Sequence, residues 1–206
     1  MHRPAASRQV QSQASLRCYF KDCVEKTLRK QRIDAESGTC YYLVNLLTFF
    51  AQSENLYEYT PDGWRIRPLA DYFADARQAA NREQRHNLLR RIGDVALFVA
   101  GVFAESLQRK PVAIDYYFSM GGRAYSALAA ESVPRQQLAL QGVFTELSAN
   151  FVRFVDVLTA VTRVQKKAPD LQHLYANFLC EGDRQTQRDL LSLGAISTPS
   201  QPHRKH

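Results

Sequence analysis

The sequence predicts an all-α fold, a multi-helix bundle with one small β-hairpin near residues 56–67. Apolar side chains recur at helical spacing in most segments. Hydrophobic residues make up 45% of the 206 positions, which is enough to build a core. Only one short segment alternates apolar and polar residues around a turn signal. We therefore expect a flexible basic arm over residues 1–14, a single helical domain over 15–193 and a disordered basic tail over 194–206.

The first predicted helix, residues 15–32, is amphipathic and basic. Its apolar stripe includes Leu16, Phe20, Val24 and Leu28. We expect this stripe to pack on the domain itself, and the alternative is docking on a partner or a membrane surface. The next segment, residues 39–51, is almost entirely apolar and is predicted to form a deeply buried helix.

The predicted hairpin joins residues 56–60 to 64–67 through Pro61-Asp62-Gly63. Its alternating aromatic and cationic side chains are of the kind that stack on bases or anchor protein partners. They are Tyr57, Tyr59, Trp64, Arg65 and Arg67. We favour a structural interpretation, in which half of them cover the helical core. A further helix is predicted from Pro68 to about Asn81.

The remaining helices are predicted from the periodicity of long apolar segments. Residues 88–107 carry the widest apolar face and are predicted to form the central helix. Residues 112–130 resume a helical pattern, with a weak point or bend at Gly121-Gly122. Residues 136–167 form the longest periodic segment, predicted as a bundle seam with Phe144, Phe151 and Leu158 at seven-residue spacing. Two shorter helices are predicted between Pro169 and Leu193.

The sequence also bears on the compartment. Its apolar runs are too short for a transmembrane helix, and residues 1–13 lack the apolar core of a signal peptide. The four cysteines form no CxxC pair, so we expect reduced thiols in a cytoplasmic protein. The mitochondrial matrix is the alternative for a eukaryotic source, because the first 21 residues carry Arg and Lys without any acid.

The net charge of +7 is concentrated at the ends of the chain. Residues 1–33 contain eight Lys or Arg and two Asp or Glu, whereas the body is nearly neutral. Such an arm is attracted to an anionic partner, nucleic acid among them, although it also keeps a protein soluble. The candidate contacts are Arg17, Lys21, Lys26, Arg29 and Lys30.

Motifs for catalysis are largely absent from the sequence. No GxGxxG, GxxxxGK[ST], HExxH, GxSxG or EF-hand pattern occurs. We therefore predict no catalytic residue, no metal site and no cofactor. His86 and His173 lie outside the tails, and each is expected to be a surface or capping residue.

One acidic residue, Asp94, lies inside an apolar run and requires a partner, which Arg90 or Arg91 on the same helix face can supply. If the two flanking helices are antiparallel across Pro111, further polar residues converge on it, as a ligand pocket or a diacidic metal site. They are Glu105, Asp115, Tyr116, Tyr117, Arg123 and Tyr125. We favour the alternative that these groups make internal hydrogen bonds between helices.

The stretch from Arg90 to Tyr125, together with Tyr41 to Leu47 (YYLVNLL), resembles a family of uncharacterised bacterial helical proteins. The resemblance covers about residues 16–165. It implies a bacterial cytoplasmic setting and one continuous helical domain, and it implies no function.

Three functions compete at this point. The leading hypothesis is a non-catalytic regulatory or scaffold protein that acts through protein–protein contacts, with a homodimer as one form. The second is a nucleic-acid-binding regulator that uses the basic N-terminal helix. The third is a small-molecule or metal-binding enzyme centred on Asp94, Glu105 and Asp115.

Overall fold

The structure, a computed structural model, describes residues 5–51, 55–60, 63–107, 114–131 and 135–164. Within these ranges the elements are α1 (Ala5–Gln31), α2 (Ser37–Phe50), β1 (Glu58–Thr60), β2 (Gly63–Arg65), α3 (Leu69–Gln78), α4 (Arg82–Val102), α5 (Ala104–Leu107), α6 (Ile114–Ala129), α7 (Leu138–Ala149) and α8 (Phe151–Val164). The predicted all-α bundle is confirmed. The helices predicted after Pro169 and the tail over 194–206 lie outside the described residues.

Helix α1 packs its apolar stripe on the rest of the domain. Phe20, Val24 and Leu28 are buried, and α1 contacts α2 and α8. The prediction that this stripe packs on the domain itself is therefore confirmed. The helix begins at Ala5, ten residues before the predicted start, so helix covers most of the predicted 1–14 arm. It ends at Gln31. The next residue, Arg32, has a φ of 55°, and the Ile33 N–H donates to the Leu28 carbonyl, so the chain turns toward α2.

The hairpin forms where the alternating pattern predicts it. Strands β1 and β2 pair antiparallel, with Glu58 opposite Arg65 and Thr60 opposite Gly63. Gly63 has a φ of 109°, a conformation that glycine adopts without a steric penalty. Tyr57 is buried, whereas Tyr59 is 74% exposed, so this part of the hairpin both covers the core and presents an aromatic ring to solvent.

Helix α4 is the central element, because it contacts α2, α3, α6 and α8. It begins at Arg82, where the Asn81 side chain accepts a hydrogen bond from the Gln84 N–H at 2.8 Å, and it ends at Val102. The predicted helix over 88–107 is therefore displaced toward the N-terminus, and α5 forms a separate turn. Gly93 and Gly101 lie against Tyr125 of α6 and Leu158 of α8, so both helices approach α4 closely at these positions.

The periodic segment over residues 136–167, predicted as a bundle seam, is divided into two helices, α7 and α8. Asn150 ends α7 with a φ of −119° and a ψ of 28°, while its carbonyl accepts the Phe154 N–H of α8. Because the break takes a single residue, the seven-residue spacing persists, and Phe144, Phe151 and Leu158 are all buried.

The predicted weak point in the helix over residues 112–130 is not a break. Helix α6 passes through Gly121-Gly122 without interruption. Gly121 faces the Phe151 ring and the Ala96 methyl group, while the corresponding side of Gly122 meets nothing within 4 Å. The absence of a side chain at Gly121 therefore allows α4 and α8 to pack close to α6.

Candidate functional site

The principal polar cluster of the core is centred on Asp94 of α4. Its Oδ1 accepts hydrogen bonds from the hydroxyl of Tyr42 on α2 at 2.6 Å and from that of Tyr125 on α6 at 2.8 Å. Arg90, one turn earlier, donates from Nε to the Tyr42 oxygen at 3.1 Å and lies 3.7 Å from Asp94 Oδ2. The cluster therefore joins three helices.

Burial dominates the electrostatics of this cluster. Desolvation raises the pKa of Asp94, and the two hydroxyl donors, followed by Arg90 and Arg91, lower it in opposition. Burial and the nearby Asp94 charge raise the pKa of Tyr42 and of Tyr125 well above their usual range. Both hydroxyls thus keep their protons and donate hydrogen bonds to Asp94. Asp94 thus accepts hydrogen bonds from two neighbouring helices, α2 and α6, which is the role that we favoured for it.

The structure brings Tyr125 to Asp94 and places Tyr116 and Tyr117 elsewhere. The hydroxyl of Tyr116 accepts from the Ala70 N–H at 3.1 Å, and the Tyr117 ring packs edge-on against it. Tyr116 lies nine residues before Tyr125, about 13 Å along α6. Asp115 and Arg123 are exposed, and the Glu105 side chain lies outside the described residues.

Two features of the cluster were not predicted. The Tyr42 donor comes from a segment that the sequence presents as almost entirely apolar, and the Tyr41-Tyr42 pair does not reveal which ring faces inward. The sequence also allowed Arg91 as a partner for Asp94. Instead Arg91 donates to the Asn55 carbonyl, and its guanidinium carbon lies 5.1 Å from the centre of the Phe50 ring.

A second polar cluster surrounds Glu131, whose side chain is only 9% exposed. Its two carboxylate oxygens lie 2.9 Å from Arg85 Nη1 and 2.9 Å from His86 Nδ1. Gln141 of α7 donates to the carbonyls of Ala129 and Glu131, both at 2.7 Å. His86, expected at the surface or at a cap, therefore helps to hold the start of α4 to the α6–α7 connection.

The five cations predicted to contact an anionic partner all lie at the surface of α1. Arg17 donates from Nε to Asn45 Oδ1 at 3.1 Å, and its guanidinium carbon lies 5.4 Å from the centre of the Tyr41 ring. Lys21 lies 3.9 Å from Glu25. Lys26, Arg29 and Lys30 lie farther along the helix. Among the five, Arg17 is thus the one fixed against α2.

The outer face of α2 carries two exposed aromatic residues, Tyr41 and Phe49. Tyr41 is 60% exposed and Phe49 is 50% exposed, with Asn45 midway between them. Spacing of four residues places the three on one side of the helix. The helix contains no charged residue over its whole length. We refer to Tyr41, Asn45 and Phe49 as the outer stripe of α2. The sequence did not predict this exposed stripe, because the helix was expected to be deeply buried.

Among the described residues, no group of three or more His, Cys, Asp or Glu side chains is arranged to hold a metal ion. None of the helices within the described ranges is both long and apolar enough to cross a membrane. The comparisons with protein-family models, curated proteins and solved structures gave no match. A function for this chain is therefore inferred from its own residues.

Proposed function

We propose that this protein is a non-catalytic regulatory or scaffold component that acts through protein–protein contacts made by the outer stripe of α2. The observation that carries the proposal is the exposure of Tyr41 and Phe49 on a helix without charge. Large aromatic rings at the surface leave apolar area in water, and covering that area stabilises a complex. Tyr, Phe and Arg are also the residue types enriched in protein interfaces.

The position of Arg17 also supports an interface here. Its guanidinium is held by the Asn45 amide oxygen and lies over the Tyr41 ring. A side chain that is already ordered loses less conformational entropy when a partner binds. An aromatic ring with an adjacent, fixed arginine is a typical energetic centre of an interface. The resemblance noted over residues 16–165 favours a cytoplasmic setting for this interaction.

The proposal is tested by site-specific photo-crosslinking in cells. A benzophenone amino acid replaces Phe49 in one variant and Tyr59, the exposed hairpin aromatic, in the control. We expect a protein adduct at position 49 that the control does not give. The captured protein is then purified, and its binding is measured by calorimetry.

In that measurement, Tyr41→Ala and Phe49→Ala should each weaken binding by tenfold or more, which corresponds to about 1.4 kcal/mol of binding free energy. Tyr59→Ala should leave the affinity unchanged. Equal adducts at positions 49 and 59, or wild-type affinity in both stripe variants, would contradict the proposal.

The exposed cations of α1 favour a second candidate function, nucleic-acid binding. Lys21, Lys26, Arg29 and Lys30 lie at the surface, where phosphates can reach them. Because Arg17 contacts α2, the informative variant replaces only the other four cations with Gln. A mixed-sequence duplex is titrated at several salt concentrations, and removing each phosphate contact should flatten the slope of log K against log salt by about 0.9.

We expect wild-type affinity within the non-specific range of about 10⁻⁴ to 10⁻⁶ M. Submicromolar binding at physiological salt that is abolished in the four-cation variant would make nucleic-acid binding the better account. Circular dichroism of the variant checks that α1 remains helical.

A further inference from the structure

We infer that the partner binds the outer stripe of α2 with an acidic amphipathic helix. This inference rests on the proposed function and names the partner's chemistry. Its support comes from the spacing of the exposed rings, from the charges beside them and from the repulsion that a second copy of the chain would meet at the same face.

The spacing of the rings fits a helix laid along α2. Tyr41 and Phe49 are eight residues apart, about 12 Å along the helix axis. A partner helix presents apolar side chains at the same separation when they occupy positions i, i+4 and i+8. Docking of an amphipathic helix on an apolar face is a recurrent mode of recognition.

The positive charges beside the outer stripe favour a partner that carries carboxylates. Helix α2 contributes no charge, and the cations, Arg17 and Lys21, come from the neighbouring flank of α1. Within the described part of the chain, Arg17 meets an amide oxygen and an aromatic ring, both of them neutral. Lys21 lies one turn from Arg17 on the same flank, and its ion pair with Glu25 is long and exposed. Such surface pairs contribute little, so a partner carboxylate can replace Glu25 at small cost.

The same charges disfavour a second copy of this chain as the occupant. In a two-fold dimer the same patch is used by both subunits. The Arg17 and Lys21 side chains of both copies would then lie in one interface, within a chain whose net charge is +7. Like charges brought together in this way oppose association. We therefore do not expect the homodimer considered from the sequence to form through this face.

The test is a selection from a displayed library of 18-residue amphipathic helices. Leu is fixed at positions i, i+4 and i+8, and the flanking positions are randomised among Glu, Gln and Lys. The purified full chain is the target. Parallel selections use Tyr41→Ala and, as a control, Tyr59→Ala. We expect Glu-rich clones from the wild-type chain and the control, and their loss with Tyr41→Ala.

Binding of a selected peptide is then measured by fluorescence anisotropy against matched charge variants. Arg17→Gln should weaken binding about tenfold, because a charge-assisted hydrogen bond is removed. Lys26→Gln should change it less than about twofold, since Lys26 follows Arg17 by nine residues, about two and a half turns, and lies on the opposite side of α1.

The outcomes separate this inference from the proposed function. Clones that require Tyr41 but show no preference for Glu overturn the acidic partner and leave the proposed function in place. An absence of any clone that depends on Tyr41 overturns both. A preference for Lys-rich clones, or submicromolar duplex binding that Arg17→Gln abolishes, also overturns the inference, and the latter assigns the face to nucleic acid.

Discussion

Replacement of Asp94 by Ala tests the polar cluster of the core most directly. The substitution removes the acceptor for the hydroxyls of Tyr42 and Tyr125, both of which are buried. A hydrogen bond to a charged group contributes about 1.5–3 kcal/mol, so two of them contribute roughly 3–6 kcal/mol. Relief of the desolvation that raises the Asp94 pKa offsets part of this loss. We expect a net loss of about 2–3 kcal/mol at pH 7.

The assay is urea unfolding followed by circular dichroism, with Tyr125→Phe and the Asp94→Ala/Tyr125→Phe double variant completing a cycle. Because the two residues share a hydrogen bond, the double variant should lose about 1–2 kcal/mol less than the sum of the single losses. A loss below about 1 kcal/mol for Asp94→Ala, or strict additivity in the cycle, would refute the reasoning that Asp94 links α2 and α6 to α4.

Three further predictions use matched variants and the same unfolding assay. Gly121→Ala should lower the free energy of unfolding by about 1–3 kcal/mol, because the added methyl group would lie 2.7 Å from the Ala96 Cβ. At Gly122 an added methyl group meets nothing within 4 Å, so Gly122→Ala should raise the free energy of unfolding by up to about 1 kcal/mol. Equal effects at the two positions would contradict the packing. Glu131→Gln should lower the free energy of unfolding by about 2 kcal/mol, since Arg85 and His86 lose a buried carboxylate partner. Glu25→Gln, in an exposed ion pair, should change it by less than about 0.5 kcal/mol. Because the pKa of Asp94 is raised, the native state keeps a proton that the unfolded chain releases above about pH 4. The stability of the wild type relative to Asp94→Asn should therefore fall as the pH rises from about 4 through the native pKa. A stability difference that grows over that range would count against a raised pKa.

Elements specified by local periodicity were predictable from the sequence. The apolar stripe of α1, the hairpin around Gly63 and the buried run of α4 each depend on residues close together in the chain. The break at Asn150 was not predictable in the same way. A helix that stops for one residue leaves the seven-residue spacing of Phe144 and Phe151 intact, so the periodic pattern is the same with or without the break.

The sequence predicted that Asp94 requires polar partners, but it identified only some of them. A carboxylate in an apolar run must be satisfied, and Arg90 lies within reach on the same helix. The Tyr42 hydroxyl comes from 52 residues away in the sequence. Its role depends on how α2 is rotated about its axis, which is set by packing against α1, α4 and α7. The same rotation leaves Tyr41 exposed, so the outer stripe could not be inferred without the neighbouring helices.

The run from Val95 to Gly101 has consequences for how the chain acquires its structure. All seven consecutive residues are buried, and seven residues make nearly two turns, so this part of α4 has no side that faces solvent. The elements that enclose it come both before it, in α2, and as late as α8. During synthesis the run therefore remains incompletely covered until residue 158 has left the ribosome, and the core closes in a late, cooperative step that joins both halves of the chain.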